Sequence, residues 1–314
     1  MSTLQLSGET TEIIETRDEH AGEGDTLIDV THSSLNYKDA LAMRGEKTVA
    51  LIDPLVPGID AVGTTEDDRL VTVNGAGLGE RRHGGYTPQL RIDAEHLVDV
   101  PERFNAFQAA AIGTAGFTAA LCVLEIRDDL QTDAGPVLVT GASGGVGSVA
   151  VHLLKSLGYE VHALTGRREE QGDFLRGLGA DEIVDRADFT EPGKPMQKGT
   201  YAGVVDTVGS TILANAIARL QFGGIATACG MAQGTDLNTS VLPFILRNVR
   251  LFGANSVDAT HETRVRAWGL LDEALDTDVL ASLTETISLA DAPQAGRDLL
   301  AGRRHGRAVV DVRG

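Results

Sequence analysis

Lysine is scarce in this chain of 314 residues. Only Lys38, Lys47, Lys155, Lys194 and Lys198 are present, against 45 acidic residues and a formal net charge of −18. So acidic a surface repels nucleic acid and anionic membranes, and neither is expected as a partner. Cysteine is scarcer still. Cys122 and Cys229 give no disulfide framework and too few thiolates for a structural zinc. No apolar run reads as a membrane span, and residues 1–23 lack the basic-then-apolar pattern of a secretory signal, so a cytoplasmic location is expected. The acidity has two readings. A salty cytoplasm, where the Debye length shrinks to about 3 Å near 1 M salt, favours hydrated carboxylates, and an ordinary acidic enzyme has the same composition.

What is present is a strand, a glycine turn and a helix in succession. Val137-Leu-Val-Thr140 is apolar and β-branched, Gly141, Gly144 and Gly147 follow at three-residue spacing, and Ser148 to Leu157 continues at helical period. Amide N–H groups and the positive end of a helix dipole then converge on one point, a site for a pyrophosphate. The glycines serve the tight turn, the approach of backbone to phosphate and the packing of helix on strand. A glycine triplet alone is often a flexible loop, but in this context it predicts a dinucleotide site.

Around that unit the chain changes texture. Up to about Asp99 it has short alternating segments broken by Gly, Pro and Asp: 26–33, 58–64, 70–73 and 89–98. These predict a small β-barrel-like domain. Residues 107–114 and 115–125 read as alanine-rich helices. Strands are expected at 137–140, 160–165, 182–184, 203–206, 224–229 and 250–254, with helices such as 168–178 and 210–220 between them. The fold class is α/β, with a doubly wound parallel sheet carrying its ligand at the carboxyl ends of the strands. Segments 285–289 and 307–312 could return to the first domain as closing strands. The expected division is 1–110 with 256–314 as the catalytic domain and 111–255 as the nucleotide domain, with the active site in the cleft between.

The second strand of the nucleotide domain ends in Thr165-Gly-Arg-Arg168, where an NAD-preferring site would carry a carboxylate. Two guanidinium groups suit a phosphate dianion, so NADPH is read over NADH. The competing reading pairs the two arginines with Glu169 and Glu170, although arginine in a first helical turn opposes the dipole.

A zinc alcohol dehydrogenase would need a Gly-His-Glu segment and an early cysteine ligand. This chain has Gly58-Ile-Asp60 and Asn36 in those places, and its histidines show no ligand spacing, so no metal is expected. Hydride addition to a polarised C=C bond fits better, because hydrogen-bond donors alone can hold an enolate. The polar cluster Ser33-Ser-Leu-Asn-Tyr-Lys-Asp-Ala40 offers Asn36, Tyr37 and Asp39 as the candidate catalytic residues. Asn36 reads equally as a helix cap.

Four segments, 33–41, 112–119, 139–147 and 243–250, resemble zinc-free medium-chain dehydrogenase/reductases, and among these the acrylyl-CoA reductase (NADPH) branch of the quinone-oxidoreductase-like proteins. The resemblance implies a GroES-like catalytic domain, a Rossmann domain, NADPH and a homodimer paired through strand 250–254. It places Tyr37 at the cofactor, Ser143, Gly144, Gly145 and Val146 at the pyrophosphate, and Thr165, Gly166 and Arg167 at the 2′-phosphate. Gly230, Asn255 and Ser256 would approach the nicotinamide, and Arg307 would return from the tail. The segment 45–57 looks shorter than the usual form. The implied reaction is conjugate reduction of a 2-enoyl thioester, with a quinone or 2-alkenal as the alternative acceptor and a non-enzymatic nucleotide-binding protein as the outsider. Asn36 or a backbone N–H would hold the enolate, water or Tyr37 would protonate the α-carbon, and Asp39 would orient its neighbours.

Overall fold

The computed structural model describes all 314 residues, which divide into two compact units. The first comprises Met1–Phe117, Ser256–Asp272 and Asp276–Gly314, and the second Thr118–Asn255 and Glu273–Leu275.

In chain order the first unit opens with β1 (Ser2–Ser7), β2 (Thr10–Glu15), β3 (Thr26–Ser34), α1 (Tyr37–Met43), β4 (Asp60–Thr65), β5 (Leu70–Asn74), β6 (Gln89–Ile92) and β7 (Val98–Asp99). Helix α2 (Ala106–Asp129) follows and leads into the second unit. There come β8 (Val137–Val139), α3 (Gly145–Ser156), β9 (Val161–Thr165), α4 (Arg168–Gly177), β10 (Glu182–Asp185) and α5 (Ala187–Thr190). The same unit continues with β11 (Tyr201–Asp206), α6 (Ser210–Ala218), β12 (Leu220–Ala228), α7 (Leu242–Arg247) and β13 (Arg250–Gly253). The tail supplies α8 (His261–Ala274), α9 (Thr277–Ser282), β14 (Thr284–Ser288), α10 (Ala292–Leu300) and β15 (Arg307–Asp311).

The main sheet of the first unit has seven strands, ordered β14-β15-β3-β4-β5-β7 with β6 also paired to β3. The tail strands thus close this sheet: β15 lies antiparallel to β3, with Val309 opposite Ser34, and β14 lies parallel to β15. Alternation along β3 and β5 turns Ile28, Val30, Val71 and Val73 onto Leu90 and Ile92 in one apolar core. A separate hairpin joins β1 to β2 with Ser7 opposite Thr10. The expected single strand 89–98 is instead β6, a short 3-10 turn at Ala94–His96 and β7. In that turn the Ala94 N–H donates to the Asp25 carboxylate rather than to a ladder.

The second unit is a six-stranded parallel sheet ordered β10-β9-β8-β11-β12-β13. The order reverses between β8 and β11, so the carboxyl ends of those two strands form the switch point where ligands of such sheets sit. All three residues of β8 are buried, as a short apolar run flanked by helices should be. Strand β12 starts at Leu220, earlier than the pattern implied. Its pairing with β11 shifts register between Tyr201 and Gly203, and Gly224 accommodates this by lying against the Ala202 carbonyl.

Helix α2 is long and apolar enough to cross a membrane, which the sequence reading did not anticipate. Of its most apolar window, 94% is buried within the protein, so its apolarity is used as core. Gly113, at φ +48°, breaks its helical geometry, close to where two helices were expected to meet.

Candidate functional site

The glycine turn of the second unit forms as its spacing demands. Gly141 has φ +57°, and a Cβ there would overlap the Thr207 hydroxyl. At Gly147 a Cβ would overlap the Gly141 carbonyl oxygen and come within 2.7 Å of the Ala142 Cα, so the first turn of α3 packs directly on the loop. Gly144 is the N-cap of α3, and the Gly145, Val146 and Gly147 amides form its first turn, with no carbonyl one turn earlier to receive them.

Buried Asp206 ties this turn to the neighbouring loop. The Thr140 hydroxyl donates to Asp206 Oδ1 at 2.7 Å, the Gly209 amide donates to Oδ2 at 2.8 Å, and the Thr207 amide donates to the Thr140 hydroxyl at 3.0 Å. Burial pushes the Asp206 carboxyl above its ordinary value, although those donors favour the ionised form. Beyond it, Gly230 lies so close to the Thr207 carbonyl that no side chain fits.

At the end of β9 the Arg167 amide donates to the Thr165 hydroxyl at 3.1 Å, and the Arg167 guanidinium reaches Ser143 Oγ at 3.5 Å. Ser143, Thr165, Gly166 and Arg167 are therefore neighbours, joining the glycine turn to the basic segment. Arg168 makes no ion pair with Glu169 or Glu170, so the competing reading fails for that residue. Asn255 is exposed after β13, and Ser256 is half-buried where the first unit resumes.

The first unit holds a buried polar cluster. Asp60 Oδ1 accepts from the Ser34 amide at 2.8 Å and from Ser33 Oγ at 3.2 Å. Its Oδ2 accepts from Ser34 Oγ at 2.6 Å, the Thr114 amide at 2.8 Å and Asn36 Nδ2 at 3.1 Å. Asp39 Oδ1 accepts from the Ile59 amide at 2.7 Å, and Oδ2 from the Asn36 amide at 2.8 Å and Asn36 Nδ2 at 3.1 Å. Arg307 completes the set, donating to the Ala111 carbonyl at 2.8 Å, Ser34 Oγ at 2.9 Å and Asn36 Oδ1 at 3.3 Å. Five elements are thereby locked together: β3, α1, β4, α2 and β15.

Two buried carboxylates and one buried guanidinium act on each other's charge here, bridged by Ser34 and Asn36. Burial and the neighbouring Asp60 push the Asp39 carboxyl up to about 7, against the pull of its Asn36 and Ile59 hydrogen bonds. Burial likewise lowers Arg307 and raises Tyr86, whose hydroxyl donates to the Ser34 carbonyl at 3.2 Å.

Of the residues singled out in the sequence, the structure brings together Asn36, Asp39 and Arg307. Arg307 is 3% exposed and its guanidinium points into the cluster. The Asn36 amide nitrogen lies 3.1 Å from Asp39 Oδ2, Asp60 Oδ2 and Ser34 Oγ, so its two protons are committed internally. The cap reading of Asn36 also holds, since it precedes α1 and Asp39 receives its amide. Tyr37 is the exception: it stands 42% exposed at the start of α1. Asp60 was missed as a cluster centre, and its signal was a lone carboxylate in the apolar run Gly58-Ile-Asp-Ala-Val62. A resident zinc does not fit this donor set. No three His, Cys, Asp or Glu side chains converge, and both carboxylates are occupied by N–H and O–H donors.

A model described as zinc-binding dehydrogenase matches residues 145–273. The chain is 43% identical over 318 residues to the probable acrylyl-CoA reductase AcuI of Escherichia coli (strain K12), covering 98% of each. It belongs to the medium-chain dehydrogenase/reductase superfamily, in the quinone-oxidoreductase-like branch that includes the acrylyl-CoA reductases. Within that branch it is also 38% identical over 298 residues to the putative quinone oxidoreductase YhfP of Bacillus subtilis (strain 168), covering 91% of this chain and 90% of that one. Its fold superposes on the yhdH oxidoreductase of Salmonella enterica, solved in complex with NADP, with a TM-score of 0.95, 40% identity and 99% coverage of both chains.

Proposed function

We propose that the protein is an NADPH-dependent reductase of activated C=C bonds, with an enoyl-CoA of the acryloyl type as its substrate. The observation that carries the coenzyme is the end of β9, where Thr165-Gly-Arg167 has no carboxylate and the Arg167 guanidinium reaches Ser143 of the glycine turn. The Ser143–Val146 amides would hold the pyrophosphate and Arg167 the 2′-phosphate, and Gly230 is assigned to the nicotinamide neighbourhood on the family pattern. Bound NADPH supplies the hydride. The similarity to AcuI over nearly the whole of both chains favours the acyl-CoA acceptor.

The chain's own residues divide the remaining work. The buried cluster fixes the start of α1, and so the backbone from which Tyr37 projects. With the Asn36 protons committed, a backbone N–H is the better donor to a developing enolate. The exposed Tyr37 hydroxyl, or water, would return the proton to the α-carbon. Asn255 and Ser256 are assigned to the nicotinamide neighbourhood on the family pattern.

The quinone or 2-alkenal reading is favoured by the similarity to YhfP. NADPH consumption compared side by side on acryloyl-CoA, crotonyl-CoA, a 2-alkenal and a quinone decides between them. The proposal expects kcat/KM at least tenfold higher on acryloyl-CoA, and a quinone as the best substrate would overturn it. We propose further that the protein acts in the cytoplasm as a homodimer. Strand β13 is the free edge of its sheet, and Phe222, Val241, Ile245 and Leu246 are exposed apolar residues of the same unit.

A further inference from the structure

Arg264 and Trp268 stand one turn apart on α8, and each is 1% exposed. A guanidinium that deep is unfavourable unless its donors are met, and here backbone carbonyls meet them. Nη1 donates to the Asn74 carbonyl, Nη2 to that of Val257 at 3.1 Å and Nε to that of Ala259 at 3.1 Å. The guanidinium carbon also lies 5.6 Å from the centre of the Phe117 ring. None of the three acceptors is a carboxylate, although the chain has 45 acidic residues. A cation so placed shapes the backbone around it instead of pairing with another charge.

The same short segment is held from a second side. Asn74 ends β5, and Gly75 and Ala76 follow it at φ +74° and +53°. A left-handed alanine carries strain. It is held where the Ala76 amide donates to the Val257 carbonyl at 2.9 Å. A Cβ at Gly75 would lie 2.6 Å from Val257 Cα and 2.8 Å from the Ser256 carbonyl oxygen. The Val257 carbonyl thus accepts from two elements, and the Ser256–Val257 peptide lies against the bare face of Gly75. Ser256 itself stands three residues beyond the carboxyl end of β13, the end at which sheets of this kind hold ligands.

We propose that Arg264 is a positioning residue for hydride transfer, setting through the Val257 and Ala259 carbonyls where Ser256 lies. This rests on the coenzyme reading above, in which Ser256 belongs to the nicotinamide neighbourhood. Misplacing a reacting group by about 1 Å can slow a reaction roughly a hundredfold. Arg264 acts through the backbone, so its loss is felt at the hydride step and not in the grip on the coenzyme's phosphates.

The experiment compares wild-type protein with Arg264→Gln, Arg264→Lys and Trp268→Phe, each at a temperature where circular dichroism shows it folded. Three quantities are measured: turnover of NADPH with the best of the four acceptors, the primary isotope effect with NADPH deuterated at the transferring position of C4, and affinity for 2′,5′-ADP. Arg264→Gln should lower kcat tenfold or more and raise the isotope effect. Its affinity for 2′,5′-ADP should stay within twofold, because that fragment lacks the nicotinamide. Arg264→Lys should recover part of the rate, since an ammonium cannot span the same three carbonyls. Trp268→Phe removes a hydrogen bond to the Asn74 side chain on β5, so it should lower the thermal midpoint while kcat stays within twofold. Wild-type kcat and isotope effect in Arg264→Gln overturn the proposal, and so does an equal fall of kcat in Trp268→Phe. If Arg264→Gln does not fold, Arg264→Lys decides on the same readouts. Wild-type protein that neither binds 2′,5′-ADP nor oxidises NADPH overturns the coenzyme reading and this one with it.

Discussion

Gly113 and Ser34 meet so closely that no side chain can stand between them, because a Cβ at 113 would overlap Ser34 Oγ. The same Cβ would lie 2.8 Å from Arg307 Nη2 and 2.9 Å from Asp60 Oδ2. Gly113 also has φ +48°, where a side chain is strained regardless of space. Gly113→Ala should therefore destabilise the first unit by about 3 kcal/mol. Thermal unfolding would show a lowered midpoint, and an unchanged one would refute the tight packing.

Asp39 links this cluster to pH. The folded protein holds its proton up to about pH 7, whereas an unfolded chain releases it near pH 4. Between those values the folded state binds more protons, so this group's contribution to stability falls as pH rises and levels off above the window. The slope is at most about 1.4 kcal/mol per pH unit. Asp39→Asn should remove it. Urea unfolding of both proteins from pH 5 to 8 measures the difference, and parallel curves would show that Asp39 does not titrate there.

Tyr37 is set apart from the cluster by its exposure. Tyr37→Phe should lower turnover tenfold or more while NADPH affinity stays within a few-fold. Steady-state rates combined with a coenzyme titration separate the two effects. Unchanged turnover would leave water as the proton source.

The proposed dimer gives a fourth expectation. Ile245→Asp puts a charge into an exposed apolar face and should shift the protein to monomers. Sedimentation velocity reads this directly, and a wild-type protein already monomeric would refute the pairing through β13.

Much of the second unit was legible because its signals are local. The apolar run at 137–139, the glycine spacing and the helical period that follows all depend on near neighbours, and the sheet order follows from alternation of strand and helix. The β1–β2 hairpin went unread although its signal was present: Gly8, at φ +61°, opens a two-residue turn between alternating segments. The polar cluster was legible only in part. Asn36 and Asp39 stood out as neighbours in sequence, but Asn36's partners Asp60 and Arg307 lie 24 and 271 residues away, and no local pattern reports that Arg307 points inward.

The place of β15 in its sheet orders events during synthesis. Strand β3 emerges early, but the stretch of its edge at residues 32–34 stays open until residues 309–311 arrive from the ribosome, and Ser34 lacks its bond from the Arg307 guanidinium until residue 307 does. The parallel sheet of the other unit is complete once residue 253 has been made. The portion translated first is thus the last to reach its native arrangement, and a nascent chain halted before residue 307 should present an unpaired stretch of β3 to chaperones or to other chains.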